Sequence, residues 1–257
     1  MGDLSHEPAT AGGSAVFPHA FGSRGRGFAI AAQAIALLLG ACGLEASSRL
    51  RYRMTVEVET PAGLKTGSSV IETTITKGPA TGQGSGISYG LKGDAVAVDL
   101  GHGQTLFALL SGEQGGLDYH ARLFHGALSD GGAVATPPMP RAFETGQWAE
   151  ERSIARQIKP MLILPAKYYP FLMRFRDIRD PRSVQIVSPG DLSDSFGPGV
   201  RLKRITLAVT DAAVTTGIYE KLPSFAKETG FSEWADALEY GDPRLLILSG
   251  FHREDGS

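Results

Sequence analysis

The chain has 257 residues, with 25 basic against 27 acidic side chains and a formal net charge of −2 at pH 7. That balance excludes a nucleic-acid binder driven by phosphate contacts, which needs a basic field. The single cysteine, Cys42, provides neither a disulfide framework nor a thiolate metal site, and the length suffices for one sizeable core.

Residues 1–27 are low in complexity and read as a disordered leader extension. The next segment, 28–41, reads FAIAAQAIALLLGA. It carries no charge, has Gln33 as its one strongly polar side chain, and follows Arg24 and Arg26. A positive flank, a short apolar run and small residues at its end are the layout of a secretory signal. The run is about 14 residues long, short of the roughly 20 that a spanning helix needs. It closes on Leu39-Gly40-Ala41-Cys42. These residues resemble the lipobox of bacterial lipoprotein precursors, which has a large apolar residue, two small ones and then cysteine. The resemblance covers the leader alone. It implies signal cleavage between Ala41 and Cys42, lipidation of the Cys42 sulfur, and a membrane partner reached through that lipid anchor. Two or more acyl chains hold a protein stably where one holds it marginally. Gly43 is not the aspartate that this family associates with inner-membrane retention, so the resemblance favours the outer membrane, facing the periplasm. The alternatives are an uncleaved single-pass anchor, and a cytosolic globular protein with a mis-assigned start and a buried free cysteine.

Residues 42–48 read as a tether and 49–257 as one α+β domain. From Arg49 to Thr60, Leu50, Tyr52, Met54, Val56 and Val58 alternate with polar residues, which predicts a half-buried strand. Pro61-Ala62-Gly63 turns the chain into SVIETTIT over 69–76, with Ile71, Thr73 and Ile75 on one face, and the two runs make a hairpin. Glu57, Glu59 and Glu72 share the outer face with Arg49, Arg51 and Arg53 and pair across strands. The glycines from 78 to 90 predict a loop. Residues 94–100 and 105–110 make a second hairpin, closed at Gly101-His102-Gly103-Gln104. Helices are expected over 117–128 and 143–158, with a loop over 129–140. Strands follow at 161–165, 171–176, 184–186 and 200–210, the last with Ile205, Leu207 and Val209 on one face. A short helix capped by Ser232 and a final strand over 245–251 end the chain. The sum is α+β, a mainly antiparallel sheet of about eight strands with two or three helices. The region 165–223, with FRDIRDPRSV, FGPGVRLKRIT and VTTGIYEKLP, resembles stretches of uncharacterised bacterial proteins, which implies no activity.

No motif in the domain names a reaction. Gly82-Gln83-Gly84-Ser85-Gly86 lacks the lysine of a P-loop, and Phe196-Gly197-Pro198-Gly199 precedes a strand, so both read as turns. His120 and His125 are five apart, which is not the spacing of a metal pair on one helix face, and no H-E-x-x-H occurs. A metal reading would have to gather Asp118, His120 and His125 in a loop. His102 belongs at a solvated hairpin tip. Serine is common, but no G-x-S-x-G elbow occurs. Arg174, Arg176, Arg179 and Arg182, interleaved with Asp177 and Asp180, are the candidate polar or partner site. Local pairing across a turn is the competing account, because the signs are mixed. The expected role is binding or structural, toward an envelope protein or a small ligand, with no cofactor. An exported hydrolase with an unrecognised serine or carboxylate site is the alternative.

Overall fold

The computed structural model describes residues 46–78, 86–113, 118–129, 134–137, 148–222, 231–239, 242–246 and 250–253. They fall within one compact unit, Glu45–Ser257. The apolar segment, Ala41 and Cys42 lie outside the described residues.

The two longest strands organise the domain. Strand β1, Ala46–Thr60, and strand β2, Gly63–Lys77, pair in unbroken antiparallel register from Ala46↔Lys77 to Thr60↔Gly63. The alternation read from the sequence decides the faces. Leu50, Tyr52, Met54, Val56 and Val58 are all buried, while Arg49 and Arg53 face solvent. Strand pairing begins at Ala46, within the segment read as a tether, because β2 continues to Lys77 and satisfies the backbone there. On the outer face Arg51 meets Glu72 at 2.5 Å and Arg204 meets Glu57 at 2.8 Å. Arg201 pairs with Glu59. Arg51–Glu72 is a pair expected within the hairpin, whereas Glu57 and Glu59 take their arginines from the strand at 201–209, and these pairs let Glu57 and Glu72 sit almost fully buried.

Strand β3, Ile87–Asp94, adds to the free side of β2. It takes its first residues from the stretch read as a glycine loop, where Ile87, Tyr89 and Leu91 keep a strand's alternation. The expected strand over 94–100 is therefore divided. Gly93, at φ 135°, lets the chain leave the first sheet, and β4, Val96–Gly101, opens a second one. Strand β5, Gln104–Gly112, returns from the predicted turn. His102 and Gly103 hold φ of 54° and 75°, the left-handed pair that suits strand twist in a two-residue hairpin turn.

The remaining elements are helix α1, Tyr119–Ser129; β6, Val134–Thr136; α2, Trp148–Ile158; β7, Met161–Ile163; β8, Pro170–Phe175; β9, Val184–Val187; α3, Ser193–Phe196; β10, Arg201–Val209; α4, Phe231–Asp236; and β11, His252–Arg253. Seven strands make a sheet in the order β11-β3-β2-β1-β10-β7-β6, and four make a second in the order β4-β5-β8-β9. The pairings between described strands are antiparallel. The class is α+β with mainly antiparallel sheets, but with eleven strands and four α-helices among the described residues. Besides β3, the additions are short: β6 has three residues and α3 four, too few for a periodicity to register. The last expected strand is displaced. A 3₁₀ turn occupies Pro243–Leu246, started by Asp242 accepting from the Arg244 N–H at 2.9 Å, and the strand lies at His252–Arg253. Ser232 is inside α4, which starts one residue earlier.

The small sheet is covered on both sides. Val96, Val98, Leu106, Ala108, Leu172 and Val187 join one core with Tyr52, Met54, Val56, Ile205 and Leu207 of the large sheet and with Tyr119, Leu123 and Phe124 of α1. From its opposite face Phe107, Leu109, Met173, Phe175 and Val184 pack with Ile218, Leu222, Trp234 and Phe251. Two covered faces explain why β5 reads as a continuous apolar run. The sheets approach closely at Gly67, where a Cβ would run into the Ala97 carbonyl and stand 2.8 Å from its carbon.

Candidate functional site

The polar chemistry of the interior is divided among three histidines, each held by a different element. His120 is fully buried on α1, and its Nδ1 lies 2.6 Å from the Tyr52 hydroxyl of β1. Burial pushes the Tyr52 phenol well above its ordinary value and lowers His120 to about 3. The phenol therefore keeps its proton and donates it to a neutral imidazole, which places the ring proton on Nε2. The main chain at Leu109 favours that proton, but Nε2 makes no hydrogen bond of good geometry among the described residues.

His125, one turn further along α1, meets Glu151 of α2 at 2.5 Å. The histidine is 38% exposed and the carboxylate 1%. Next to it, Arg152 is buried and crosslinks four elements. Its Nη1 donates to Ser48 O and Thr73 O, both at 3.1 Å, and its Nη2 to Thr73 Oγ1 at 3.0 Å and Ala121 O at 2.9 Å. Burial lowers the guanidinium to about 10, and Tyr52 and Glu151 oppose that change. It remains a cation at neutral pH.

The third pair is His252 of β11 with Asp94 at the end of β3, Nδ1 to Oδ1 at 2.5 Å. Asp94 is buried, and its Oδ2 accepts from Ile218 N at 2.8 Å. Its main-chain carbonyl accepts from Ser69 Oγ at 2.6 Å. The Tyr219 ring lies edge-on to His252, with centroids 5.6 Å apart. A buried carboxylate orienting a histidine is the supporting half of a nucleophilic site. Here Ser69 bonds the main chain of Asp94, so Ser69, His252 and Asp94 do not line up as a relay.

The three members of the metal reading go separate ways. Asp118 pairs with Arg122 at 2.7 Å, His120 with Tyr52 and His125 with Glu151. Among the described residues there is no group of three or more His, Cys, Asp or Glu side chains placed to hold a metal ion.

The arginine cluster resolves into local contacts. Arg179 pairs with Asp177 and Arg182 with Asp180, both at 3.1 Å. The Arg179 hydrogen bond holds the exposed Asp177 carboxyl below its usual range. Arg174 donates to Gln185 Oε1 at 2.9 Å and stacks over the Phe196 ring. Arg176 is exposed. Because β1 and β8 belong to different sheets, Arg49, Arg51 and Arg53 share no face with Arg174 and Arg176.

Sequence reasoning missed Glu151, Arg152 and Asp94 as polar hubs. Their partners are distant in the chain, His252 being 158 residues from Asp94 and Thr73 79 from Arg152. The available signal was indirect: Asp94 stands beside an otherwise apolar run, and Arg152 shares the apolar side of α2 with Ala155. No protein-family model, curated protein or solved structure matches this chain.

Proposed function

We propose that the chain is an exported lipoprotein, anchored to the outer membrane through Cys42, whose domain faces the periplasm and acts by binding or holding a partner rather than by catalysis. One observation carries the reading: Leu39-Gly40-Ala41-Cys42 closes the apolar run, and strand β1 starts only four residues later. One further observation supports the binding role: His120, His125 and His252 are distributed over three separate pairs, which favours a binding or structural role over a shared reaction centre. The test is metabolic labelling of the full chain with a palmitate analogue in a bacterial host. Wild type should label, while Cys42→Ser should not, and the variant should keep its leader and migrate more slowly. Equal labelling of the two, or none in wild type, overturns the reading.

The Asp94–His252 pair favours one competitor, an exported hydrolase. Labelling by a serine-reactive phosphonate that disappears in His252→Gln would select it.

A further inference from the structure

We propose that the domain stands end-on, with the end at which β1 begins resting on anionic headgroups of the bilayer that holds Cys42, and with Arg49, Lys77 and Ile87 as the contact surface. This rests on the lipoprotein reading. The first row of the large sheet brings Ala46, Lys77 and Ile87 side by side across β1, β2 and β3. Lys77 is exposed and Ile87 is 37% exposed. Arg49 is exposed three residues further along β1, and its carbonyl receives the guanidinium of Arg156 from α2, a third exposed cation at the same end. Among the described residues neither Arg49 nor Lys77 is within ion-pair distance of a carboxylate, whereas Asp118 and Asp211 nearby are already matched by Arg122 and Lys159. Glu45 of the tether offsets one charge, and the three cations Arg49, Lys77 and Arg156 still leave a positive local excess, although the chain as a whole is slightly acidic.

Chain length confines this surface to the membrane. Between Cys42 and Ala46 the backbone can extend at most about 14 Å, so the tethered domain keeps this end within reach of the headgroups. A few cations are too weak to hold a protein on a bilayer from solution at physiological salt, but with the tether in place the contact is intramolecular. An exposed isoleucine beside a lysine suits that interface, with the apolar group at the headgroup boundary and the ammonium among phosphates. The opposite end of the hairpin, at Pro61-Ala62-Gly63, lies about 46 Å away along the 15 residues of β2.

The experiment uses the full chain, lipidated in a bacterial host and reconstituted into vesicles containing phosphatidylglycerol or into vesicles of phosphatidylcholine alone. Because the one natural cysteine would carry lipid, a single added cysteine takes a spin label, at the tethered end (Ser88→Cys) or at the hairpin tip (Ala62→Cys). On anionic vesicles, collision of the label with an aqueous nickel chelate should be at least about threefold less frequent at position 88 than at position 62. The difference should shrink on phosphatidylcholine, and in Arg49→Gln/Lys77→Gln, whose altered side chains make no hydrogen bond among the described residues. Equal accessibility at both positions, or protection at 62 instead, overturns the proposal while palmitate on Cys42 leaves the lipoprotein reading intact. Protection unchanged on neutral vesicles overturns it as well. Absence of palmitate overturns the lipoprotein reading itself.

Discussion

The Asp94 carboxylate ties two separate stretches to the end of β3, so its removal tests how the second core is closed. The carboxylate accepts from His252 at 2.5 Å and from Ile218 N at 2.8 Å, with its side chain 2% exposed. Ala95 N, next in sequence, donates to Phe251 O at 2.8 Å. Each hydrogen bond to a buried charge contributes about 1.5–3 kcal/mol, and Asp94→Ala also leaves the Ile218 amide unsatisfied, so a cost of about 3–5 kcal/mol is expected. Asp94→Asn keeps the shape and one acceptor, and should cost about half as much. Urea unfolding measures the totals, and amide hydrogen exchange gives the location. Protection should fall first at Ala95, Ile218 and Phe251, while the β1–β10 pairs, such as Val56↔Ile205, keep theirs. Trp234, packed against this core, should report the same opening in its fluorescence. A loss below about 1 kcal/mol for Asp94→Ala, or exchange that rises equally across both sheets, would refute the hub.

Val56 is fully buried and Thr55 is not; thermal unfolding should show Val56→Asp losing about 3 kcal/mol or more and Thr55→Asp under about 1 kcal/mol. Gly67→Ala should cost about 1–3 kcal/mol in urea, because the methyl meets main chain at Ala97 and not a flexible side chain. His120 takes its pH signature from burial. Between its ordinary 6.5 and about 3 the unfolded chain binds a proton that the folded one refuses, so stability falls on acidification by about 1.4 kcal/mol per pH unit from this residue. His120→Gln should flatten the stability-against-pH curve below pH 6.5 by one proton. Arg152→Lys should lose most of what the arginine contributes, since one ammonium cannot span acceptors on β1, β2 and α1, and denaturation of the variant alongside Arg152→Met checks this.

The hairpin of β1 and β2 was legible because its alternation is set by water on one side and core on the other. Local pattern and tertiary environment agree along its whole length. Legibility failed where a residue's environment comes from distant chain. Ile87 and Tyr89 lie behind a glycine-rich stretch, and only the free side of β2 makes them a strand. Residues 245–251 were apolar enough for a strand, but Asp242 and Pro243 start a 3₁₀ turn and pairing is postponed to His252. The histidines were visible as letters, but their chemistry depends on what burial places beside them. Neither the five-residue spacing of His120 and His125 nor the position of His252 contains Tyr52, Glu151 or Asp94. For the arginine run near Asp177 and Asp180, mixed signs close together in sequence did point to pairing, because partners two residues apart need no tertiary information.

Arg152 connects that hidden interior to the outer surface. It is a buried cation whose hydrogen bonds go to carbonyls and one hydroxyl, so it has desolvation to overcome without the attraction of a full counter-charge at contact distance. What such a group contributes is placement. Its donors reach Ser48 on β1, Thr73 on β2 and Ala121 on α1, and fix the position of α2 against all three. One turn later on the same helix, Arg156 reaches the Arg49 carbonyl. One residue earlier, Glu151 receives His125. The helix turn that is pinned in the core thus sets both a half-exposed histidine pair and the cationic rim beside the first residues of β1. On the contact role proposed above, the surface groups need a fixed relation to the point of attachment, and α2 would supply that relation from inside.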